Sequence, residues 1–201
     1  MRLSLLSLTF LLTANAAAYN NLFGFNPNIQ VEKRSIDQIY QVALKEGGVV
    51  TSWLGGDEPN QQEGLKQAFD TAFPEMTLNL TVDLYKYHDV RLDKLLAENN
   101  VYIDTIALQT THNFPRWKKQ GALLNYAPRG FDQIFTEFRD VDAAYYSFLG
   151  VGWQTVTNTK KLKGKKPPVE FADFLKPEFK GKIPLAYPID DDAVLWAFEL
   201  M

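Results

Sequence analysis

Two histidines, twenty-four carboxylates and no cysteine set the chemistry open to this chain of 201 residues. The missing thiol excludes disulfides, thiolate catalysis and cysteine metal sites. No G-x-S-x-G, H-E-x-x-H or phosphate-loop pattern occurs. His112 paired with a carboxylate is the one general-base option, and nothing in the spacing raises it. The chain therefore reads as non-enzymatic, with no cofactor and no metal site expected.

Three clusters qualify for binding instead. Ser52, Trp53, Asp57 and Glu58 surround the turn Gly55-Gly56. Glycines let backbone N–H groups approach a bound group, and a following helix start favours an anion. The acidic side chains favour a cation, such as a polyamine or a metal ion. The alternative is that Asp57 or Glu58 caps the helix. Thr110, Thr111 and His112, followed by Asn113, offer hydroxyls and an amide to a carboxylate, phosphate or carbonyl, and His112 adds a proton or a metal bond. The alternative there is an exposed cap cluster. Asp191, inside Asp190-Asp191-Asp192, either meets a cationic ligand or caps the last helix.

These residues need elements to hold them. Ser35 with Gln38 three residues on has capping-box spacing, and Ile36, Ile39, Tyr40, Ala43 and Leu44 share one helical face up to Gly47-Gly48. Residues 49–53 form a buried strand. A helix with Leu65, Ala68, Phe69, Ala72 and Phe73 inward follows, and Pro74 stops it. Met76, Leu78, Leu80 and Val82 alternate as a half-buried strand. Residues 88–99 form a helix with Val90, Leu92, Leu95 and Leu96 apolar, residues 103–108 a strand, and Pro115 opens a short helix ending near Gly121. Strand and helix alternate, which predicts an α/β fold with a mainly parallel sheet flanked by helices. Ligands of such sheets sit at the carboxyl ends of strands, here residues 54–60 and 109–114. Beyond Leu124 the pattern predicts extended segments within 144–158, an exposed lysine-rich linker at 160–166, a short helix at 170–175, a strand at 183–187 and a last helix after Asp192.

The start of the chain is Arg2, an apolar run over residues 3–12 and small residues to Ala18. That is a secretory signal peptide over 1–18, cleaved after Ala16 or Ala18. No other segment is long and apolar enough to span a bilayer. A secreted, extracellular protein without stable membrane insertion is expected. The net charge of −3 argues against nucleic acid as partner. Asn79-Leu80-Thr81 is an N-glycosylation sequon in a eukaryotic source; a chance match within a strand is the other reading.

Five segments in order carry a family likeness. GGVVTSWLGGDEPNQQEGLKQAFDTAFPEMTLNL, LLAENNVYIDTIAL, RWKKQGALLNYAP, GWQTVTNTKKL and PPVEFADFLKPEFKGKIPLAYP resemble the type II periplasmic-binding-protein family. The chain looks like secreted, fungal-type relatives of bacterial ferric-iron and polyamine solute-binding proteins. The resemblance implies two α/β lobes joined by a hinge, with a small polar solute in the cleft between them, and a monomer. It divides the chain into an N-terminal arm (19–34), a first lobe (35–145), a hinge strand region (146–159) and the start of a second lobe (160–201), with Asp190 to Asp192 toward the cleft. The family runs on past Met201, so an incomplete second lobe is expected. Tyr145-Tyr146 does not match the iron-binding tyrosine pair by position and is read as packing. The His and Glu of those iron binders are replaced near Asp57 and Gln109, so ferric binding is not carried over. The fungal thiamine-pyrimidine synthase on this fold has a cysteine-rich motif that this chain lacks. A surface-acting interaction or effector-type protein, or a non-binding remnant, is the other functional expectation.

Overall fold

The computed structural model describes residues 28–150, 152 and 154–199. The expected signal peptide and arm residues 19–27 lie outside the described residues, as do Val151 and Trp153 of the expected hinge region. The chain divides into two compact units, with the break between Phe148 and Leu149.

In the first unit, β1 (Gln30–Val31) leads to α1 (Ile36–Lys45), β2 (Val49–Gly55), α2 (Glu63–Ala72), β3 (Thr77–Asp83), α3 (Tyr85–Ala97), β4 (Thr105–Ala107), α4 (Phe114–Lys119) and β5 (Tyr126–Ala127). The capping box forms as its spacing requires. Ser35 Oγ accepts from the Gln38 N–H at 3.2 Å, and Gln38 Oε1 accepts from the Ser35 N–H at 2.8 Å. Gly47 and Gly48 end the helix as expected, with φ +109° and +67°, conformations that disfavour side chains.

The main sheet is parallel, in the order β3-β2-β4. Val49 to Gly55 pair in register with Thr77 to Asp83, and Ser52 to Leu54 with Thr105 to Ala107. β4 is shorter than the expected strand over 103–108. The Asp104 side chain accepts the Thr51 N–H at 2.7 Å, so a carboxylate replaces ladder pairing at that end. A second, two-stranded parallel ladder joins β1 to β5. The Glu32 carboxylate locks it, accepting from Arg34 and, at 2.7 Å, from the Tyr126 hydroxyl. Those bonds hold Glu32 well below the usual carboxylate range. Burial first, and the Glu32 bond second, push Tyr126 up to about 12.

Trp53, Leu92, Leu96 and Trp117 form the buried core between sheet and helices, each worth about 1.5–3 kcal/mol of transfer free energy. Two inner faces differ from expectation. On α3 the buried positions are His88, Asp89, Leu92 and Leu96, whereas Val90 is 70% exposed. His88, Leu92 and Leu96 fall at i, i+4 and i+8, and the His88 ring sets the helix's rotation by stacking on Trp53 with centroids 5.1 Å apart. On α2, Leu65, Ala68 and Ala72 are exposed, and the aromatic pair Phe69 and Phe73, 5.1 Å apart, faces inward with Tyr40.

The second unit holds α5 (Thr159–Leu162), 3₁₀ turns at Phe171–Leu175 and Pro177–Phe179, and α6 (Asp192–Glu199). The expected linker at 160–166 is helical in its first residues, where the Asn158 side chain caps α5. Among the described residues, the segments expected to be extended within 144–158 enter no ladder beyond an isolated bridge between Arg139 and Tyr146. The strand expected at 183–187 does not form as a ladder, because the described residues offer it no partner strand.

His88 is fully buried, with Nε2–H donating to the Leu54 carbonyl at 3.1 Å. Burial, the largest effect, holds its imidazole below the ordinary 6.5 against the pull of that carbonyl and Asp83. The unfolded chain therefore takes up the proton first as pH falls. His88's stabilisation is complete above pH 6.5 and is lost as pH drops through the folded-state pKa. His88→Gln is expected to cost about 1–3 kcal/mol at neutral pH. In thermal unfolding from about pH 7 to about pH 5, its Tm should fall less steeply than that of the wild type.

Candidate functional site

β2 connects through α2 to β3 on one side, and β3 connects through α3 to β4 on the other side of β2. The crevice between the carboxyl ends of β2 and β4 is thus a topological switch point, where open α/β sheets take their ligands. Both loops expected from the sequence emerge there, residues 56–62 and 108–113.

Side chains approach both glycines of the first loop closely; at Gly55 the neighbour is the movable end of Gln109, and at Gly56 it includes Val82 of the adjacent strand. A Cβ on Gly55 would stand 2.1 Å from Gln109 Oε1, and one on Gly56 2.7 Å from Gln61 Oε1 and from Val82 Cγ1. The Gln109 side chain therefore lies directly on Gly55 and joins the two loops. The backbone N–H of Asp57 donates to Gln61 Oε1 at 2.7 Å, and that of Glu58 to the same oxygen at 3.4 Å. The glycine turn thus cradles a side-chain amide of its own.

The eight expected ligand residues separate into groups. Asp57 and Glu58 project from the first loop, and Thr111 and His112 from the second; all four are exposed, and Thr110 is half-buried. Ser52 and Trp53 are not open to a ligand. The Ser52 hydroxyl bonds Thr105 Oγ1 at 2.7 Å, and Trp53 lies in the core between His88 and Tyr102, because both sit before the last turnings of a central strand rather than beyond its end. Neither Asp57 nor Glu58 caps α2, whose N-cap is Gln62. In the second unit, Asp191 Oδ1 accepts from the N–H groups of Ala193 and Val194 at 2.7 and 3.2 Å, so it takes the capping role at α6. Tyr145 packs on Phe114 and Tyr146 on Phe131, as the packing reading has it.

A polar clamp fixes the second loop. Arg116 pairs with both oxygens of Asp93 at 2.8 and 2.9 Å, while the buried Trp117 indole donates to Asp93 Oδ1 at 2.8 Å. Arg116 also reaches Asn113 Oδ1 at 2.8 Å, and Asn113 Nδ2 donates to Asp89 at 2.5 Å. On the neighbouring strand end, Asp83 receives Arg91 at 2.7 Å. Sequence reasoning missed Gln61, Asp93 and Arg116, and it named Gln109 only where an iron ligand is replaced. Gln61 stands four residues after Asp57, a spacing that signals local closure; nothing local pairs Gln109 with Gly55.

The chemistry at this edge is hydrogen bonding and charge. Carboxylates face from one loop, and a hydroxyl and an imidazole from the other. Among the described residues no three His, Asp or Glu side chains converge as a metal site. A depression lined by Val31, Glu32 and residues 127–132 belongs to the β1–β5 ladder, and its Glu32 carboxylate is already engaged by Arg34 and Tyr126.

Asp93→Ala would leave the Trp117 N–H buried without its acceptor. It is expected to cost about 1–3 kcal/mol and to speed hydrogen exchange across residues 108–113, with Asp93→Asn intermediate because its amide oxygen still accepts.

The first unit is thus a mixed α/β fold of parallel strands flanked by helices, consistent with a solute-binding-protein fold. No helix of the described residues is long and apolar enough to cross a membrane. No curated protein matches the chain. Residues 104–195, just under half of it, match the family described as bacterial extracellular solute-binding protein, and this segment begins at the foot of β4 and includes the second loop. Over those residues the chain is similar to the bacterial extracellular solute-binding proteins.

Proposed function

We propose that this chain is a secreted solute-binding-like protein that holds a small polar ligand without catalysis, at the carboxyl edge of its parallel sheet. The observation that carries this reading is the position of residues 56–62 and 108–113 on adjacent strands at the switch point. The match to an extracellular solute-binding family supports it. Asp57 and Glu58 would supply charge to a cationic group, and Thr110, Thr111 and His112 hydrogen bonds to a polar one. The Gln61 amide oxygen marks where backbone N–H groups can receive an acceptor atom. Ser52, Trp53 and His88 act behind the site as its support. Asn79 is exposed on the edge strand β3, open to glycosylation in a eukaryotic secretory route.

Thermal-shift screening against polyamines, amino acids, thiamine and metal salts tests the reading. A ligand at 100 times its Kd adds about 2.7 kcal/mol, so at least one class should raise Tm. Asp57→Asn with Glu58→Gln, or Thr111→Ala with His112→Ala, should abolish that rise and change the unliganded stability by less than about 0.5 kcal/mol. No stabilisation by any class sinks the proposal. Passage through a eukaryotic secretory pathway is expected to add a glycan sensitive to peptide-N-glycosidase, lost in Asn79→Gln.

A second reading, a secreted protein that acts through its surface, draws on the apolar side chains exposed in the second unit, among them Leu175 at 86% and Leu185 at 64%. It gains if the screen is silent while the chain is secreted and folded.

A further inference from the structure

We propose that the peptide bond between Arg34 and Ser35 is a processing site, hydrolysed by a dibasic-specific endoprotease of a eukaryotic secretory route, so that the mature chain begins at Ser35. The encounter with such an enzyme rests on the secreted reading; the site itself rests on the residues around the bond. Four pairs of adjacent basic residues occur: Lys33-Arg34, Lys118-Lys119, Lys160-Lys161 and Lys165-Lys166. Enzymes of this class hold the substrate as extended chain and seat an arginine before the cut against their own carboxylates, which a guanidinium can meet bidentately. Lys33-Arg34 alone ends in arginine. Both residues are exposed, between β1 and α1, and Ser35 is extended at φ −70° and ψ 164°. Lys118-Lys119 and Lys160-Lys161 are wound into α4 and α5. Lys165-Lys166 runs into Pro167, whose ring nitrogen such enzymes do not release.

A small latch closes the site. The Arg34 side chain is 47% exposed and pairs with Glu32, whose side chain is 4% exposed. Glu32 Oε1 accepts from the Arg34 N–H at 2.8 Å and from Arg34 Nε at 2.9 Å, and Glu32 Oε2 accepts from the Tyr126 hydroxyl at 2.7 Å. The ladder beneath is two residues long. The Gln30 N–H donates to the Asn125 carbonyl at 2.8 Å, and the Glu32 N–H to the Ala127 carbonyl at 2.9 Å. So short a ladder, with exposed strand residues, belongs to the low-stability end of local opening. Cutting then follows the population of the opened state, in which the enzyme's carboxylates replace Glu32 at the guanidinium.

The bond also falls at a boundary of the fold. β1 stands outside the three-stranded sheet, and the core residues Trp53, Leu92, Leu96 and Trp117 all lie beyond the cut. The cap of α1 survives it. Ser35 Oγ still accepts from the Gln38 N–H, and the new ammonium of Ser35 can still donate to Gln38 Oε1 as its N–H does now. In the reaction the oxygen of one water bonds to the Arg34 carbonyl carbon and the C–N bond breaks. Arg34 leaves as a carboxylate, and both protons of the water end on the Ser35 nitrogen.

Intact mass of the purified full chain, treated with a limiting amount of a dibasic-specific endoprotease, tests the proposal. Two products that meet at Arg34 and Ser35 are expected, with the three lysine pairs uncut. Arg34→Gln should abolish the cut. That variant also loses the ion pair to Glu32, which only loosens the segment, so the loss reports recognition rather than tighter closure. Tyr126→Phe leaves the recognised residues untouched and removes one bond of the latch; it should speed the cut about fivefold. Circular dichroism should show the product that begins at Ser35 still folded. Secreted from a eukaryotic host, the chain should begin at Ser35, and from a host lacking the endoprotease at Ala17 or Tyr19. Cutting of the purified chain where export fails supports the site and counts against the secreted reading alone. An uncut purified chain, equal rates for wild type and Tyr126→Phe, or a secreted chain that keeps Arg34 in a host with the endoprotease overturns the proposal.

Discussion

The bond from His88 to the Leu54 carbonyl is the contact on which the sheet edge depends. Leu54 is the next-to-last residue of the central strand, and Gly55-Gly56 follow it directly. Its carbonyl is buried, and an unsatisfied buried carbonyl costs about 1–3 kcal/mol. The imidazole meets that demand while its ring stacks on Trp53. One side chain thus ties α3 to the strand that launches the first loop. The carbonyl, which can only accept, selects the tautomer with Nε2–H, and burial shifts the ring toward its neutral form.

The second loop is held by different physics. Asp93 collects a guanidinium and an indole N–H, so a half-exposed ion pair is anchored by a donor with no other place to go. Exposed ion pairs alone contribute little; here the buried Trp117 supplies the geometry. Between the two loops, Gln109 lies on a glycine that has no side chain to resist it. The result is two loops positioned by a rigid frame, each with exposed polar tips, the usual division between scaffold and site.

The second unit is organised locally. Asn158, Glu170 with Asp173, and Asp191 each close a helical turn within a few residues of themselves. Basic side chains gather before residue 183 and acidic ones after residue 189. The stretch between them, residues 183–187, is exposed and in no ladder. Local caps satisfy helix ends, but a ladder needs a second strand, and among the described residues of this unit none stands beside it.

The alternation of strands and helices, the capping box at Ser35, the stop at Pro74 and the two loops at strand ends were all legible in the sequence, because each rests on short-range periodicity or on the backbone limits of glycine and proline. The acidic run at Asp190 to Asp192 was legible as a cap for the same reason. What only the tertiary structure decided was rotation, pairing and access. Val90 and His88 carry no local sign of which faces inward; the stack on Trp53, thirty-five residues upstream, decides it. Ser52 and Trp53 belong to the core because β4 and α3 cover them, and Gln109 finds Gly55 because β4 lies beside β2. These outcomes turn on contacts between residues far apart in the chain, whose energies are written in no local pattern.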